Sequence, residues 1–129
     1  MLELNRISAG YGKQTVLDGI SVDFEKGKLT SIIGVNGCGK STLLKAILGI
    51  LSLSNGEIFI DGENLLTISR NEIAKKIAYL SQGKNIPDMT VEQMVLHGRF
   101  PYLSYPRRYS SHDREVAIKA MEIVGVAEF

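Results

Sequence analysis

Gly34-Val35-Asn36-Gly37-Cys38-Gly39-Lys40-Ser41 sets three glycines ahead of a lysine and a hydroxyl. Glycine tolerates backbone angles closed to other residues, so successive N–H groups of such a loop can turn inward on one anion. Upstream, Leu29 to Ile33 is a short apolar run that reads as a strand. Downstream from Lys40, the residues Leu43, Leu44, Ile47 and Leu48 recur at helical spacing, and Gly49 marks where that helix weakens. A helix that begins at the loop adds its own free N–H groups and the positive end of its dipole. Strand, glycine loop and helix together describe a cradle for a polyphosphate.

The spacing Gly34-x-x-x-x-Gly39-Lys40-Ser41 is a full match to the P-loop pattern, and Thr42 extends it. The expected ligand is ATP with Mg²⁺. Residues Gly34, Val35, Asn36, Gly37, Cys38, Gly39, Lys40, Ser41 and Thr42 would line the phosphates. Lys40 would place a point charge at the β- and γ-phosphates, and the Ser41 hydroxyl would bind Mg²⁺. Cys38 reads as a small residue that fits the loop, the alternative being a thiol activated by the phosphate-binding field.

Around this centre the chain reads as an α/β protein. Leu2 to Ser8 alternates through Leu2 and Leu4, with Ile7 out of phase, and reads as a strand closed by the turn at Tyr11-Gly12. Val16 to Phe24 is a second strand with Ile20, Val22 and Phe24 on one face, so the two predict an antiparallel hairpin. Gly56 to Gly62 is a strand between turns, and Ile77 to Leu80 another that delivers Gln82 to its end. Ser69 with Glu72, and Thr90 with Gln93, are capping boxes that open short helices. Arg99 to Ser111 has no period and reads as a loop. A last helix over 112–124 aligns Val116, Ala120 and Val124, with Gly125 as its C-terminal cap.

Composition narrows the class. The 129 residues are enough for one core, and 44% hydrophobic with 22% charged is ordinary for a globular chain. A net charge of +1 gives no bulk argument for nucleic acid or a membrane surface. One cysteine excludes an internal disulfide. No secretory signal is expected from the first residues, MLELNRIS, which lack a basic stretch followed by an apolar run, and no segment approaches the roughly 20 apolar residues that span a bilayer.

The order of Tyr11, the P-loop, Gly56 to Gly62, and Ile77-Ala-Tyr-Leu-Ser-Gln82 resembles the ATPase subunit of ABC transporters. The run from Met89, then His97-Gly-Arg-Phe-Pro-Tyr102, is most similar to the subgroup serving importers of iron–siderophore complexes, haem and cobalamin. The resemblance covers the whole chain and corresponds to roughly the first half of such a domain, an expected partial domain over 1–129. It implies the N-terminal portion of an α/β P-loop fold, with antiparallel β elements and an incomplete parallel core sheet. It also implies that Tyr11 stacks on adenine, that Val16 packs against ribose or base, and that Gln82 reaches Mg²⁺ or the attacking water. Lys40 and Gln82 would be the catalytic residues, Ser41 and Gln82 the metal ligands.

The family's Leu-Ser-Gly-Gly-Gln signature, its strand ending in Asp-Glu and its switch histidine do not occur in these residues. Asp61 is not expected to serve as the Mg²⁺ acid, because Asp-Gly is a turn dipeptide close after the P-loop helix. His97 and His112 read as surface helix residues. Little turnover is therefore expected of the chain alone, and Leu29 to Ile33 is expected to have open edges. By resemblance, Arg99 to Tyr109 would meet a membrane-spanning permease subunit, a second ATPase subunit would complete the site, and the location would be cytoplasmic, peripheral on the inner face of the cell membrane. The functional readings are a transport ATPase subunit for an iron–siderophore-type complex, a nucleotide-binding fragment without turnover, and an ABC-type ATPase acting on DNA. No nucleic-acid partner is expected, and the transported substrate is set by other subunits.

Overall fold

The computed structural model describes residues 1–81, 83 and 88–128. They form two compact units, Met1–Ile77 and Ala78–Phe129.

The first unit is built on a four-stranded antiparallel sheet in the order β2-β1-β3-β4, with β1 at Leu2–Tyr11, β2 at Gln14–Phe24, β3 at Leu53–Ile60 and β4 at Glu63–Asn64. The expected hairpin forms, Tyr11 pairing with Gln14 and Leu2 with Phe24. On its other side β1 pairs with β3, from Leu2 opposite Ile60 to Ala9 opposite Leu53. The phase slip of Ile7 has a structural cause. Arg6 takes a positive φ of 46°, and the register with β2 shifts between Leu4 and Ile7. That irregularity returns Ile7 to the core side after Leu4. Gly56 faces this bulge, where a Cβ would come within 2.3 Å of the Arg6 carbonyl oxygen. Only glycine fits there.

The helix α1, Lys40–Ile47, buries Leu43, Ala46 and Ile47 and leaves Leu44 partly exposed. Those side chains join Leu4, Ile7 and Ile58, which are fully buried, in one apolar cluster. Gly49 ends α1 as expected, its N–H donating to Ala46 while the Ile50 N–H donates to Lys45, the paired bonds of a Schellman motif. The helix α2, Arg70–Lys76, adds Ile73 to the same core. Its capping box is half made. Ser69 Oγ accepts from the Glu72 N–H, but the Glu72 carboxylate accepts from Lys75 Nζ at 2.8 Å instead of reaching back.

Two expected strands are absent. Residues 28–35 have no strand pairing, and Leu29 and Ile33 are 97% and 92% exposed. A lone strand leaves its N–H and C=O groups without ladder partners, and none of the four strands of the sheet pairs with residues 28–35. Ile77 to Leu80 is likewise unpaired, with Leu80 96% exposed. The parallel part of the expected sheet therefore does not form among the described residues.

The second unit pairs helix α3, Val91–His97, with helix α4, Ser111–Ile123, burying Leu96 against Ala117 and Met121 as its core. The Thr90–Gln93 box is complete in both directions. A second complete box, Ser110 with Asp113, starts α4. The buried stripe of α4 is Asp113, Ala117 and Met121, one residue away from the Val116, Ala120 and Val124 line expected from spacing. Asp113 turns the helix: its carboxylate accepts from Arg99 Nε at 2.9 Å and from the Ser110 N–H and hydroxyl, and so holds that face inward. Gly125 ends α4 in a second Schellman motif, with Gly125 donating to Glu122 and Val126 to Met121. Between Arg99 and Ser110 the loop contains one short 3₁₀ turn, Phe100–Tyr102.

Candidate functional site

The glycine loop runs directly into α1. Gly39 stands at the N-cap with φ 98°, and no side chain caps this end of the helix. The first-turn N–H groups of Lys40, Ser41 and Thr42 have no intrahelical acceptors, as in any helix start, so this end presents donors and a positive dipole. A Cβ on Gly39 would meet Leu17 Cδ2 and Val16 Cγ1, both at 3.2 Å. The loop is thus seated on β2 by a residue that has to be glycine for two reasons, its backbone angle and its neighbours.

Lys40 folds back over the loop. Its Nζ donates to the carbonyl oxygens of Gly34 and Val35, both at 2.8 Å, and lies 3.7 Å from Cys38 Sγ. The Cys38 N–H donates to Val35 O at 3.3 Å. The ammonium is thus held against the carbonyl oxygens of the glycine loop itself. Cys38 and Ser41 are exposed, and Thr42 is buried under the helix start. The donor set, many amide N–H groups with one ammonium and one hydroxyl, fits a magnesium polyphosphate. Ser41, exposed on the first turn of α1, supplies the hydroxyl of that set.

Tyr11, half exposed, lies at the turn between β1 and β2 and is tied to the same helix. Lys45 Nζ donates to the Tyr11 hydroxyl at 3.4 Å and lies 5.7 Å from the centre of its ring. Tyr11, Val16, the glycine loop, Lys40 and Ser41 are all brought together around α1 in the first unit. The Lys45–Tyr11 contact was not legible in the sequence, because a lysine in the last turn of a helix reads as a complement to the dipole. Gln82, expected as a metal and water contact, lies outside the described residues.

Asp61 is engaged elsewhere, its carboxylate accepting from the Met1 amine at 2.6 Å, which holds its pKa below the ordinary value. Among the described residues no cluster of histidine, cysteine and carboxylates could hold a further metal. His97 and His112 are exposed.

In the second unit, the basic and aromatic loop is partly turned on itself. The Arg99 guanidinium stacks 4.1 Å from the Tyr102 ring centre and Arg107 lies 4.4 Å from that of Phe100. Tyr105 projects outward, 96% exposed. A cavity of about 500 Å³ lies between α3 and α4, lined by Gln93, His97, Tyr109 and Arg114 among others, and includes none of the phosphate-loop residues. No helix among the described residues is long and apolar enough to cross a membrane.

Comparison with known proteins agrees with this geometry. The petrobactin import ATP-binding protein FpuD of Bacillus anthracis is 36% identical over 129 residues, covering 99% of this chain and 47% of its own length. The ferric enterobactin transport ATP-binding protein FepC of Escherichia coli is 37% identical over 122 residues, 94% of this chain and 45% of its own. The chain spans about half the length of the curated relatives it matches. Among solved structures, a nucleotide-free ATP-binding cassette from an ABC transporter superposes with a TM-score of 0.83 at 25% identity, over 99% of this chain and 55% of that one. An ATP-binding subunit of an ABC transporter gives 0.66 at 26% identity, over 92% of this chain and 60% of its own. The family model described as ABC transporter matches residues 17–129, and the chain belongs to that family.

Proposed function

We propose that the chain is the ATP-cradling part of a subunit that energises import of an iron–siderophore-type complex. One observation carries the reading: Lys40 Nζ closes onto the glycine loop at the uncapped start of α1, Val16 lies against Gly39, and Tyr11 is bonded to Lys45 of the same helix. The names of the relatives support the transported class.

In this reading the amides of residues 34–42 and Lys40 Nζ hold the phosphates, Tyr11 stacks on adenine and Val16 packs beside it. Bound Mg²⁺ would neutralise phosphate charge, with Ser41 Oγ and the Gln82 side chain as its protein ligands. Phosphoryl transfer depends on positioning and charge neutralisation. By resemblance, Gln82 would reach that metal ion or the attacking water. The signature, the Asp-Glu strand and the switch histidine are not among these residues, so the chain by itself binds nucleotide with negligible turnover. Permease subunits meet it through Arg99 to Tyr109, a second ATPase subunit closes the site, and the assembly lies on the cytoplasmic face of the membrane.

Titration of the full chain with Mg-ATP, and of its Lys40→Ala variant, tests the reading. Loss of even one charge-assisted hydrogen bond, about 1.5–3 kcal/mol, should weaken binding by roughly tenfold or more. Equal binding by both forms, or none by either, sinks it. Steady phosphate release that vanishes in Lys40→Ala would overturn the absence of turnover alone.

A further inference from the structure

Lys45 contacts no residue of the phosphate loop in any bond described above, yet it is the side chain that joins Tyr11 to α1. Its Nζ donates to the Tyr11 hydroxyl at 3.4 Å and stands 5.7 Å from the ring centre. Tyr11 needs such a tie. It is at the end of β1, next to the Gly12-Lys13 turn, and 49% of it is exposed. Tyr11 is not a member of the apolar cluster of the first unit. The hairpin partner Gln14 fixes the backbone of Tyr11 but not its side chain.

We infer that Lys45 is a positioning residue for base recognition: its ammonium pins the Tyr11 ring in the orientation that receives the adenine of the bound nucleotide. The inference rests on the nucleotide reading above and adds to it the residue that sets the base platform. The chemistry is that of a weak hydrogen bond to the phenol combined with a cation near the ring, each modest at a half-exposed site. Both are geometric constraints on a side chain that otherwise rotates about two torsions, and ordering the ring in advance lowers what the base must order on arrival. One helix then serves both ends of one ligand. The start of α1 grips the phosphates, and its last turn, through Lys45, holds the platform for the base.

The competing role for Lys45 is purely structural, a positive charge at the negative end of α1. The two roles separate by comparing a ligand that has a base with one that has none. Mg-ATP and Mg-tripolyphosphate are titrated against the full chain, Lys45→Met, Lys45→Arg, Tyr11→Ala and the Lys45→Met/Tyr11→Ala double variant, with far-UV circular dichroism on each. Lys45→Met keeps the aliphatic stem and removes the ammonium. It is expected to weaken ATP by about two- to fivefold, with tripolyphosphate unchanged. Lys45→Arg is expected to restore most of the loss. In the Tyr11→Ala background, Lys45→Met is expected to change nothing further, because the ring it orients is gone.

An equal loss for both ligands, or the same loss with and without Tyr11, would overturn the inference and leave Lys45 as a helix-end charge. Should Lys45→Met unfold, Lys45→Gln and Tyr11→Phe, which remove the charge or the hydroxyl alone, carry the same comparison. If the parent chain bound neither ligand, the nucleotide reading would fall and take this inference with it. If it bound both, and the ratio between them did not move in Lys45→Met, only the inference would fall.

Discussion

A side-chain carbon on Gly39 would stand 3.2 Å from Leu17 Cδ2. The phosphate loop and β2 are therefore packed as closely as a glycine allows. Gly39→Ala forces both that contact and a left-handed φ of 98° on a residue with a Cβ. A destabilisation of about 1–3 kcal/mol is expected, read from urea unfolding. An unchanged midpoint would mean that the loop has room to back away from Leu17.

Cys38 gives a direct reading of loop occupancy, since it is exposed and is the one cysteine of the sequence. Alkylation by iodoacetamide is expected to slow by roughly tenfold when Mg-ATP is present at ten times its dissociation constant, by mass action alone. The same nucleotide concentration should give little shielding in Lys40→Ala. Undiminished labelling of a chain known to be saturated would place the phosphates away from residues 34–41.

Asp113 links α4 to pH. Hydrogen bonds from the Ser110 hydroxyl and N–H, then the Arg99 guanidinium, hold its pKa down from 3.8 to about 2. A depressed pKa means that the folded form prefers the carboxylate. The resulting stability is complete above the unfolded value near 3.8 and fades as pH falls towards 2. The gap in unfolding midpoint between the parent chain and Asp113→Asn is therefore expected to be constant above about pH 4 and to close below it. A gap that stays open down to pH 2 would show that the charge of Asp113 contributes nothing to folding.

Ile58 and Leu29 make a contrast that tests the sheet itself. Ile58 is fully buried among Leu4 and Ile7, and Ile58→Ala should cost about 2–5 kcal/mol. Leu29 is 97% exposed, and Leu29→Ser should stay within about 0.5 kcal/mol. Chemical denaturation of the two variants side by side checks both. A large loss from Leu29→Ser would mean that residues 28–35 are packed as a strand after all.

Much of this arrangement was legible in the sequence, for identifiable reasons. The glycine loop, α1, the β1–β2 hairpin and the Thr90 capping box are fixed by residues close together in the chain, so local rules reach them. The misses all involve partners far away. Leu29 to Ile33 and Ile77 to Leu80 have strand-like composition, but a strand exists only through a neighbour, and neither segment pairs with one among the described residues. The inward face of α4 is set by Arg99 bonding Asp113, which helical spacing cannot see. The out-of-phase Ile7 was visible as an anomaly, whereas its cause, the bulge at Arg6 facing Gly56, needed the pairing of β1 with β3. Around α1, Val16 lies against Gly39 and Tyr11 against Lys45, and the Lys45–Tyr11 contact was signalled by neither pattern nor resemblance.

Both feet of the segment that carries the glycine loop and α1 stand on one rail. It leaves from Phe24, opposite Leu2, and returns at Leu53, opposite Ala9. Detaching β1 would release both ends of that arch at once and leave it without a foundation. Amide hydrogens along Leu4 to Ala9 are thus the natural gauge of how firmly the arch is held, although none of them touches the loop. A ligand that braces the arch should slow their exchange with solvent, and a fault in the rail should slacken the grip at the far side of the helix.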